Sequence, residues 1–382
     1  MWAIVKFGNV VENKNESSKN PASEGLTRVV GLDDMDSESL PLRRWSEIGD
    51  LPDGTTFTRK FSSGEVLFGK RRSYQKKVSV PDFDGVCSGD ILVFEAKKIK
   101  MLNDFLPLVV QSADFMSHAV ATSAGSLSPR TKWSDLAKYQ FCLPSLKDQE
   151  KIIEIISSID QTIEAYQDLP LKSQRESMLH GLLTAGGEDW TETNLGDVAL
   201  INPEATKNFE DDKIITYVDL SSVSAEHGIS KELSIGPYQN APGRARRVIR
   251  TDDVLISTVR PYLRGFAIVP EYLDGEVAST GFSVLRAKTE RTIPGFIWAL
   301  ISTGQFVDFL MNKASGSNYP AVRPEDVSSY DFDLPPLKEQ RRIVEIVSAI
   351  DEVVQSTAQA IRDLKALRRS LLTEILSAND NG

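Results

Sequence analysis

The 382-residue sequence is poor in the side chains that bind metals or form disulfides. It contains two cysteines, Cys87 and Cys142, and three widely separated histidines, His118, His180 and His227. Neither cysteine belongs to a C-x-x-C pair, so the sequence predicts no disulfide framework and no metal site. No apolar run approaches the roughly 18 residues that span a bilayer, and the first residues lack the basic and apolar regions of a signal peptide. We therefore expect a cytoplasmic protein that makes no membrane contact.

Catalytic motifs are also missing. No G-x-S-x-G occurs, and no G-x-G-x-x-G follows a predicted strand. The segment 64–71 resembles a nucleotide-binding P-loop, but Arg71 stands where magnesium coordination needs Ser or Thr. Asn202 and Pro203 are followed by Glu204 instead of the second proline and aromatic residue of an N6-adenine methyltransferase loop. The sequence therefore predicts a chain that is not an enzyme and holds no cofactor.

The sequence repeats itself. The segment Leu143–Asp160 matches Leu334–Asp351 almost position by position, at an offset of 191 residues. Upstream, a weaker match at an offset of 188 residues pairs Arg72 with Arg260 and Tyr74 with Tyr262. Such self-similarity indicates two copies of one structural unit. We predict two globular domains at 1–142 and 187–333, two spacer helices at 143–186 and 334–378, and a tail at 379–382.

The globular parts have the pattern of mixed α/β domains. Short β-rich runs at 214–218, 253–257 and 265–269 are separated by Gly, Pro and Asp, as expected for strands. Apolar residues on one face predict a helix over 295–313. The fold class is therefore α+β, with two tandem mixed domains, each followed by a long helix.

Both predicted helices carry a heptad seam, a stripe of apolar residues that alternate at spacings of three and four. The members of the seam are Ile152, Ile156, Ile159, Ile163, Ile343, Val347, Ile350, Val354, Ile361 and Leu364. Thr357 and Arg368 interrupt the stripe. Pro170 predicts a break in the first helix, with helix resuming near Ser173 and ending at Gly186. The shared seam favours an antiparallel coiled coil with pseudo-two-fold symmetry. The second helix is expected to reach about 50–60 Å. Packing of each helix on its own domain is the alternative.

The chain is acidic overall, with a formal net charge of −10, which argues against non-specific coating of nucleic acid. Its basic residues nevertheless concentrate in two stretches, each containing an Arg-x-Tyr. The predicted contacts of the first stretch are Arg59, Lys60, Lys70, Arg71, Arg72, Tyr74, Lys76 and Lys77. Those of the second are Arg244, Arg246, Arg247, Arg260, Tyr262 and Arg264, with Arg250 nearby. Lysine and arginine neutralise phosphates, and arginine can bond guanine bidentately. We predict DNA contacts here; a solvated run of surface charge is the alternative.

A second candidate contact precedes each spacer helix. Its residues are Ser317, Asn318, Tyr319 and Arg323 in the second half, and Arg130 and Lys132 in the first. Gly316 and the matching Gly125 permit a close backbone approach to a ligand. A plain turn explains these residues equally well.

The repeated motif L-P-P-L-x-E-Q-x-x-I-V-x-x-[IVL]-x-x-[IL]-D resembles that of specificity subunits of type I restriction–modification systems. Leu334–Asp351 matches it closely, whereas the first copy departs at Ser145, Asp148 and Ile153. The resemblance implies two target-recognition domains that read a bipartite double-stranded DNA site. It also implies two docked methyltransferase subunits, and restriction subunits in systems that cleave.

S-adenosylmethionine, ATP and Mg are expected in those partners and not in this chain. A coiled-coil scaffold without a DNA role and the specificity subunit of a methylation-only defence system are the alternatives. The recognised DNA sequence and the gap length cannot be read from the residues.

Overall fold

A computed structural model describes residues 2–50, 57–225, 227–316 and 318–377. The chain forms two compact units. The first comprises the residues up to Leu169 together with those from Ala358 onwards, and the second comprises Pro170–Thr357. The units therefore differ from the predicted linear division, because each combines a globular domain with part of both spacer helices. The predicted tail at 379–382 lies outside the described residues.

Among its described residues, the first unit contains ten strands and five α-helices before the chain enters the second. The strands are β1 Ala3–Lys6, β2 Val11–Lys14, β3 Arg28–Val30, β4 Ser46–Glu47, β5 Arg59–Phe61, β6 Val66–Gly69, β7 Val78–Ser79, β8 Gly85–Cys87, β9 Ile91–Ala96 and β10 Gln140–Leu143. The helices are α1 Phe7–Val10, α2 Leu106–Gln111, α3 Ala113–Ala121, α4 Trp133–Leu136 and α5 Leu146–Gln167.

The second unit contains twelve strands among its described residues. They are β11 Thr191–Asn194, β12 Ala199–Ile201, β13 Ile214–Val218, β14 Val223–Ser224, β15 Gly228–Ile229, β16 Ser234–Pro237, β17 Ala245–Val248, β18 Val254–Ser257, β19 Phe266–Ile268, β20 Val277–Ser279, β21 Phe282–Ala287 and β22 Asp331–Leu334. The helices of this part of the chain are α6 Leu171–Thr184, α7 Leu195–Val198, α8 Pro294–Ile301, α9 Gly304–Lys313, α10 Pro324–Ser328 and α11 Leu337–Leu376.

Both units have the same sheet topology. In the first, the sheets run β2-β9-β6-β7 and β4-β3-β8-β5, with a separate β1-β10 pair. In the second they run β12-β21-β18-β19 and β16-β13-β20-β17, with a β11-β22 pair and an added β14-β15 hairpin. In each unit, the only parallel pairing among the described strands joins the two central strands of one sheet, β3 with β8 and β13 with β20. The predicted duplication and fold class are confirmed.

The change in offset from 188 to 191 has a structural cause. Phe68 pairs with Val78 and Ile256 with Phe266, so the offset is still 188 residues on these strands. Beyond them the second unit contains an extra short 3₁₀ helix, Glu271–Leu273, that has no counterpart between β7 and β8. The insertion lies at a connection between strands, where extra residues do not disturb the ladders.

The predicted helix over 295–313 is two helices, α8 and α9. They are interrupted at Ser302 and Thr303, and the Thr303 hydroxyl accepts a hydrogen bond from the N–H of Phe306 at 3.2 Å. The apolar periodicity continues across the break because both helices bury the same core, including Phe296 and Phe306. A hydroxyl residue that caps a new helix start is what ends the single-helix pattern.

The spacer helices begin three residues later than predicted. Leu143 and Leu334 end β10 and β22, which pair with β1 and β11, so helix starts only at Leu146 and Leu337. The first spacer is broken at 168–170, as Pro170 predicts, and helix resumes at Leu171. The sequence pattern did not predict β10 and β22, because strands of four residues are too short to show a clear alternation of apolar and polar residues.

Within each unit the spacer segments pack antiparallel. In the first unit, Ile152 and Ile156 share a core with Leu372 and Leu376. In the second, Leu179 shares a core with Ile343 and Val347. Towards the C-terminal end of α11 the fully buried positions are Leu372 and Leu376, whereas the neighbouring Leu371 and Ile375 are half-buried.

Other residues of the predicted seam differ in burial. Ile163 is buried, and the half-buried members are Ile159, Ile350, Val354, Ile361 and Leu364. The pseudo-two-fold relation between the units stays a prediction. No helix among the described residues is long and apolar enough to cross a membrane.

The motif glutamine explains why the helix-entry sequence repeats. Gln340 is fully buried; its carboxamide oxygen accepts hydrogen bonds from the N–H of Ile293 at 3.2 Å and the hydroxyl of Thr292 at 3.0 Å. Its amide nitrogen donates to the carbonyls of Arg291 and Pro335, both at 2.9 Å. Gln149 bonds the matching segment of the first unit, at Leu102, Lys100 and Pro144. Each spacer helix is thus joined by buried hydrogen bonds to its own globular domain.

Candidate nucleic-acid interface

The Arg-x-Tyr segments form the same unusual turn in both units. Arg72 (φ 53°) and Lys76 (φ 52°) flank a 3₁₀ helix at Ser73–Gln75. Arg260 (φ 50°) and Arg264 (φ 51°) flank the matching one at Pro261–Leu263. Residues other than glycine rarely adopt this left-handed conformation, and when they do they concentrate at functional sites. We call residues 72–76 and 260–264 the basic turns.

A glycine-containing loop holds each basic turn in place. The loops, residues 124–130 and 315–321, close through bridges between Ala124 and Arg130 and between Ser315 and Ala321. The N–H of Arg72 donates to the carbonyl of Pro129 at 2.7 Å, and that of Arg260 to Pro320 at the same distance. The two candidate contacts of the sequence therefore form one surface in each unit.

The first residue of each basic turn carries an unneutralised charge. Neither Arg72 nor Arg260 forms an ion pair with any carboxylate of the described chain, and neither Nε has a hydrogen-bond acceptor there. The tyrosines beside them are about half exposed, Tyr74 at 55% and Tyr262 at 49%. Cation and aromatic ring together form a surface suited to phosphate and sugar contacts.

The last residue of each basic turn is bound to the protein. The Nζ of Lys76 donates to Glu38 at 2.6 Å, and this bond is the main reason that the pKa of Glu38 is lowered. The Nη1 of Arg264 donates to the carbonyl of Ser302, at the end of α8, at 3.0 Å. Both residues were predicted to contact DNA, and this stays a prediction; within the protein each of them also binds a group outside its turn.

In the first unit, Asp90 neutralises part of the basic surface. It accepts hydrogen bonds from Arg130 at 2.8 and 3.3 Å and pairs with Arg71 at 3.5 Å. The bond from Arg130 lowers the pKa of Asp90. Burial, and then the positive charge of Arg59, lower the pKa of Lys70.

In the second unit a glycine takes the place of that aspartate. The N–H of Lys70 donates to the carbonyl of Asp90 at 3.0 Å, and Thr258 donates to Gly281 in the same way at 2.8 Å. A Cβ at Gly281 would lie 2.6 Å from the Leu220 side chain, so a larger residue does not fit without movement. The second unit therefore has no carboxylate at this position.

Arg244 and the arginines of β17, which follows it directly, approach the same region. The N–H of Thr280, next to Gly281, donates to the carbonyl of Arg244 at 2.8 Å. Arg246 donates to the hydroxyl of Tyr238 at 2.7 Å, and burial lowers the pKa of Arg247. Arg244 and Arg246 are exposed, so these unmatched residues remain candidates for base contacts.

One matched pair escaped the sequence comparison. Arg59 pairs with Cys87 on β8, and Arg247 pairs with Ala278 on β20, at equivalent places in the two sheets. The 188-residue offset that relates Arg72 to Arg260 also relates Arg59 to Arg247. This match is present in the sequence, but the residues that flank the two arginines differ too much for the alignment of the two halves to reveal it.

The remaining predicted contacts are either bonded within their own unit or exposed. Lys60 pairs with Glu24 at 2.9 Å, and Lys77 donates to the carbonyl of Leu32 at 2.7 Å. The exposed members of this group are Lys132, Asn318, Tyr319 and Arg323. Ser317 lies outside the described residues. Of the described residues, no group of three or more His, Cys, Asp or Glu is placed to hold a metal ion.

Comparison with known proteins identifies the family of this chain. The model of the family described as the type I restriction modification DNA specificity domain matches the chain twice, at residues 2–172 and 187–366. The chain therefore belongs to the family of type I restriction–modification DNA specificity domains. This confirms the resemblance inferred from the helix-entry motif.

Individual relatives are distant. The chain is 23% identical over 185 residues to the HindI specificity subunit of Haemophilus influenzae, covering 48% of this chain and 40% of that subunit. It is 24% identical over 260 residues to the putative MjaX specificity subunit of Methanocaldococcus jannaschii, covering 62% and 58%. The chain thus spans between two fifths and three fifths of these two relatives.

A solved structure supports the fold over the whole chain. A chain from work on complex assembly and conformational transition of the type I R-M system aligns with a TM-score of 0.59 and 21% identity. The alignment covers 98% of this chain and 97% of that one. At this identity the likeness establishes the fold alone.

Proposed function

We propose that this chain is the DNA-reading subunit of a bacterial type I restriction–modification complex. Each unit reads one half of a bipartite double-stranded DNA target, and the spacer helices position two methyltransferase subunits for N6-adenine methylation. The basic turn, present in both units with an unpaired arginine at Arg72 and Arg260, is the observation that carries this proposal. Membership of the DNA specificity family supports it.

Chemistry belongs to the partners in this proposal. S-adenosylmethionine is bound by the methyltransferase subunits, and ATP and Mg by restriction subunits in a complex that cleaves. The chain itself positions DNA and is not an enzyme. Because its substrate is cellular and invading DNA, we place it in the cytoplasm.

Mapping of methylated adenines tests the proposal directly. The full chain would be produced with its co-encoded methyltransferase in a methylation-free host, and genomic DNA would be sequenced for N6-methyladenine. We expect one bipartite motif with a fixed gap. Loss of all methylation without this chain, together with its return on complementation, supports the proposal; methylation that is unaffected by its absence contradicts it.

The basic turns allow a residue-level test. Matched residues in diverged domains suit contact with the invariant phosphate backbone better than contact with different bases, so we propose that Arg72 and Arg260 bind phosphate. Arg260→Ala in the complex should weaken binding to all DNA sequences and reduce the salt slope by about one. A bidentate guanine contact would instead relax the preference at a single position. Unchanged affinity and salt slope for both alanine variants would show that this surface does not contact DNA.

Two other functions make different predictions in the same experiments. A coiled-coil scaffold without a DNA role would leave methylation unaffected by either arginine variant. A specificity subunit of a methylation-only system would give the same motif but no restriction of unmodified phage DNA. Arg72 and Arg260, which are half-buried and pair with no carboxylate of the described chain, favour DNA reading over the scaffold.

A further inference from the structure

The two basic turns differ in how their arginines are held. In the second unit the guanidinium carbon of Arg260 lies 4.3 Å from the centre of the Tyr319 ring. Tyr319 is 67% exposed and belongs to the glycine loop, whose Pro320 carbonyl accepts the Arg260 N–H at 2.7 Å. One loop therefore holds both the backbone and the side chain of Arg260.

The first unit lacks this arrangement. The residue that matches Tyr319 at an offset of 191 is Ser128, whose hydroxyl accepts a hydrogen bond from Arg71 at 3.1 Å. No aromatic ring of the described chain stacks on Arg72. The residue after Arg260 is Pro261, which fixes its own φ and restricts the residue before it, whereas Arg72 is followed by Ser73.

These differences change the cost of binding DNA. A free arginine side chain samples many rotamers and must be immobilised when it contacts a phosphate, which reduces affinity. A guanidinium that already stacks on an aromatic ring has lost part of that freedom before DNA arrives. The second unit also has Gly281 where the first unit has Asp90, so no carboxylate at this position reduces the positive charge near Arg260. In the first unit, Asp90 pairs with Arg71 and Arg130.

We propose that Tyr319 is a positioning residue that fixes Arg260 in its DNA-contacting conformation, so that the second unit supplies the larger share of DNA affinity. This inference rests on the proposed function. It concerns an interaction within the second unit and needs no contact between Tyr319 and DNA.

The test uses the full chain in complex with its methyltransferase and a labelled duplex that contains the mapped site. Binding would be measured by fluorescence anisotropy across salt concentrations for Tyr319→Leu, Tyr319→Phe, Arg260→Ala and the double variant Tyr319→Leu with Arg260→Ala. We expect Tyr319→Leu to raise Kd about three- to tenfold, since it frees one rotamer-rich side chain. Tyr319→Phe keeps the ring and should bind as the unaltered protein does.

The double variant separates positioning from direct contact. If Tyr319 acts through Arg260, the double variant should bind no more weakly than Arg260→Ala alone. A matched control is Tyr272→Leu, which removes another exposed tyrosine of the second unit (64% exposed) that stacks on no arginine among the described residues; it should leave Kd unchanged. Thermal unfolding should be the same for all the tyrosine variants because these side chains are exposed.

Three results would overturn the inference while leaving the proposed function intact. One is an Arg260→Ala variant that binds weakly beside a Tyr319→Leu variant that binds normally. Another is a Tyr319→Leu effect that persists in full when Arg260 is already alanine. The third is an Arg72→Ala loss equal to or larger than the Arg260→Ala loss. If Arg260→Ala and Arg72→Ala both bind normally, the DNA-contacting role of the basic turns fails first.

Discussion

Arg368 forms a bidentate ion pair with Asp160. Its Nε donates to one carboxylate oxygen at 2.7 Å and its Nη2 to the other at 3.1 Å. Asp160 is the last residue of the first helix-entry motif, and its counterpart Asp351 is paired in the same way by Arg175 in the second unit. The arginine that interrupts the apolar seam therefore fixes which residues of two antiparallel helices lie opposite each other.

Removing this arginine should destabilise the first unit. Arg368→Ala breaks two charge-assisted hydrogen bonds to Asp160 and a third, to Gln111, at 2.7 Å. Because Asp160 is partly exposed and can be rehydrated, we expect a loss of about 1–2 kcal/mol in the free energy of unfolding. Urea denaturation would measure it. Arg362→Ala, which removes an exposed arginine of the same helix, is the control and should cost less than about 0.5 kcal/mol; equal losses for the two variants would contradict the assignment.

The glutamines of the two helix-entry motifs should contribute more to the free energy of unfolding than any single ion pair. Gln340→Leu leaves the partly buried N–H of Ile293 and the carbonyls of Arg291 and Pro335 without their partner. Unsatisfied buried polar groups cost about 1–3 kcal/mol each before relaxation, so we expect a loss of about 2–4 kcal/mol in unfolding free energy. Lys338→Leu, an exposed change two residues away on the same helix, is the control. A Gln340→Leu protein as stable as this control would show that the buried bonds are dispensable.

A carboxylate of the second unit should make its stability depend on pH. Hydrogen bonds from Arg250, and then from Arg286, lower the pKa of Glu204 to about 2. Because the folded pKa lies below the unfolded value of about 4.3, the stabilisation is complete above that value and is lost as pH falls towards 2. Solvent screening of this partly exposed group limits it to about 1 kcal/mol.

Thermal unfolding between pH 7 and pH 2.5 checks this linkage. Glu204→Gln should lower the melting temperature at pH 7 and lose less stability than the unaltered protein on acidification. The control is Glu210→Gln, which alters an exposed glutamate of the same unit with no ion pair among the described residues. Parallel pH profiles for the unaltered protein and Glu204→Gln would contradict the assigned role.

Asp90 should limit DNA binding by the first unit. Asp90→Asn removes the charge that pairs with Arg71 and Arg130, so both arginines become available to phosphates. We expect tighter DNA binding and a salt slope steeper by about one to two. Asp104→Asn, which removes an exposed charge with no ion pair in the described chain, controls for the change in net charge. Weaker binding of Asp90→Asn would instead indicate that the carboxylate itself contacts a base.

Much of the architecture follows from the sequence. Repetition of the helix-entry motif at a constant offset requires two copies of one unit, and β-rich runs such as 214–218 coincide with observed strands. Proline at position 170 has no N–H to donate to the helix, so the break in the first spacer helix can be predicted from the local sequence. The Arg-x-Tyr match also indicated the basic turns, because both copies keep the same residue types at the same spacing.

Tertiary structure decided which of the basic residues are available. Arg71 and Arg130 meet Asp90 across large sequence separations, and Arg264 reaches a helix end at Ser302, so charges that look alike in the sequence differ in their partners. Only the three-dimensional path of the chain brings Tyr319 over Arg260 and Arg368 to Asp160. Local patterns specify strands, turns and helix breaks because those depend on neighbouring residues. Ion pairs and ring stacking depend on distances through space, and these are fixed only when the elements pack.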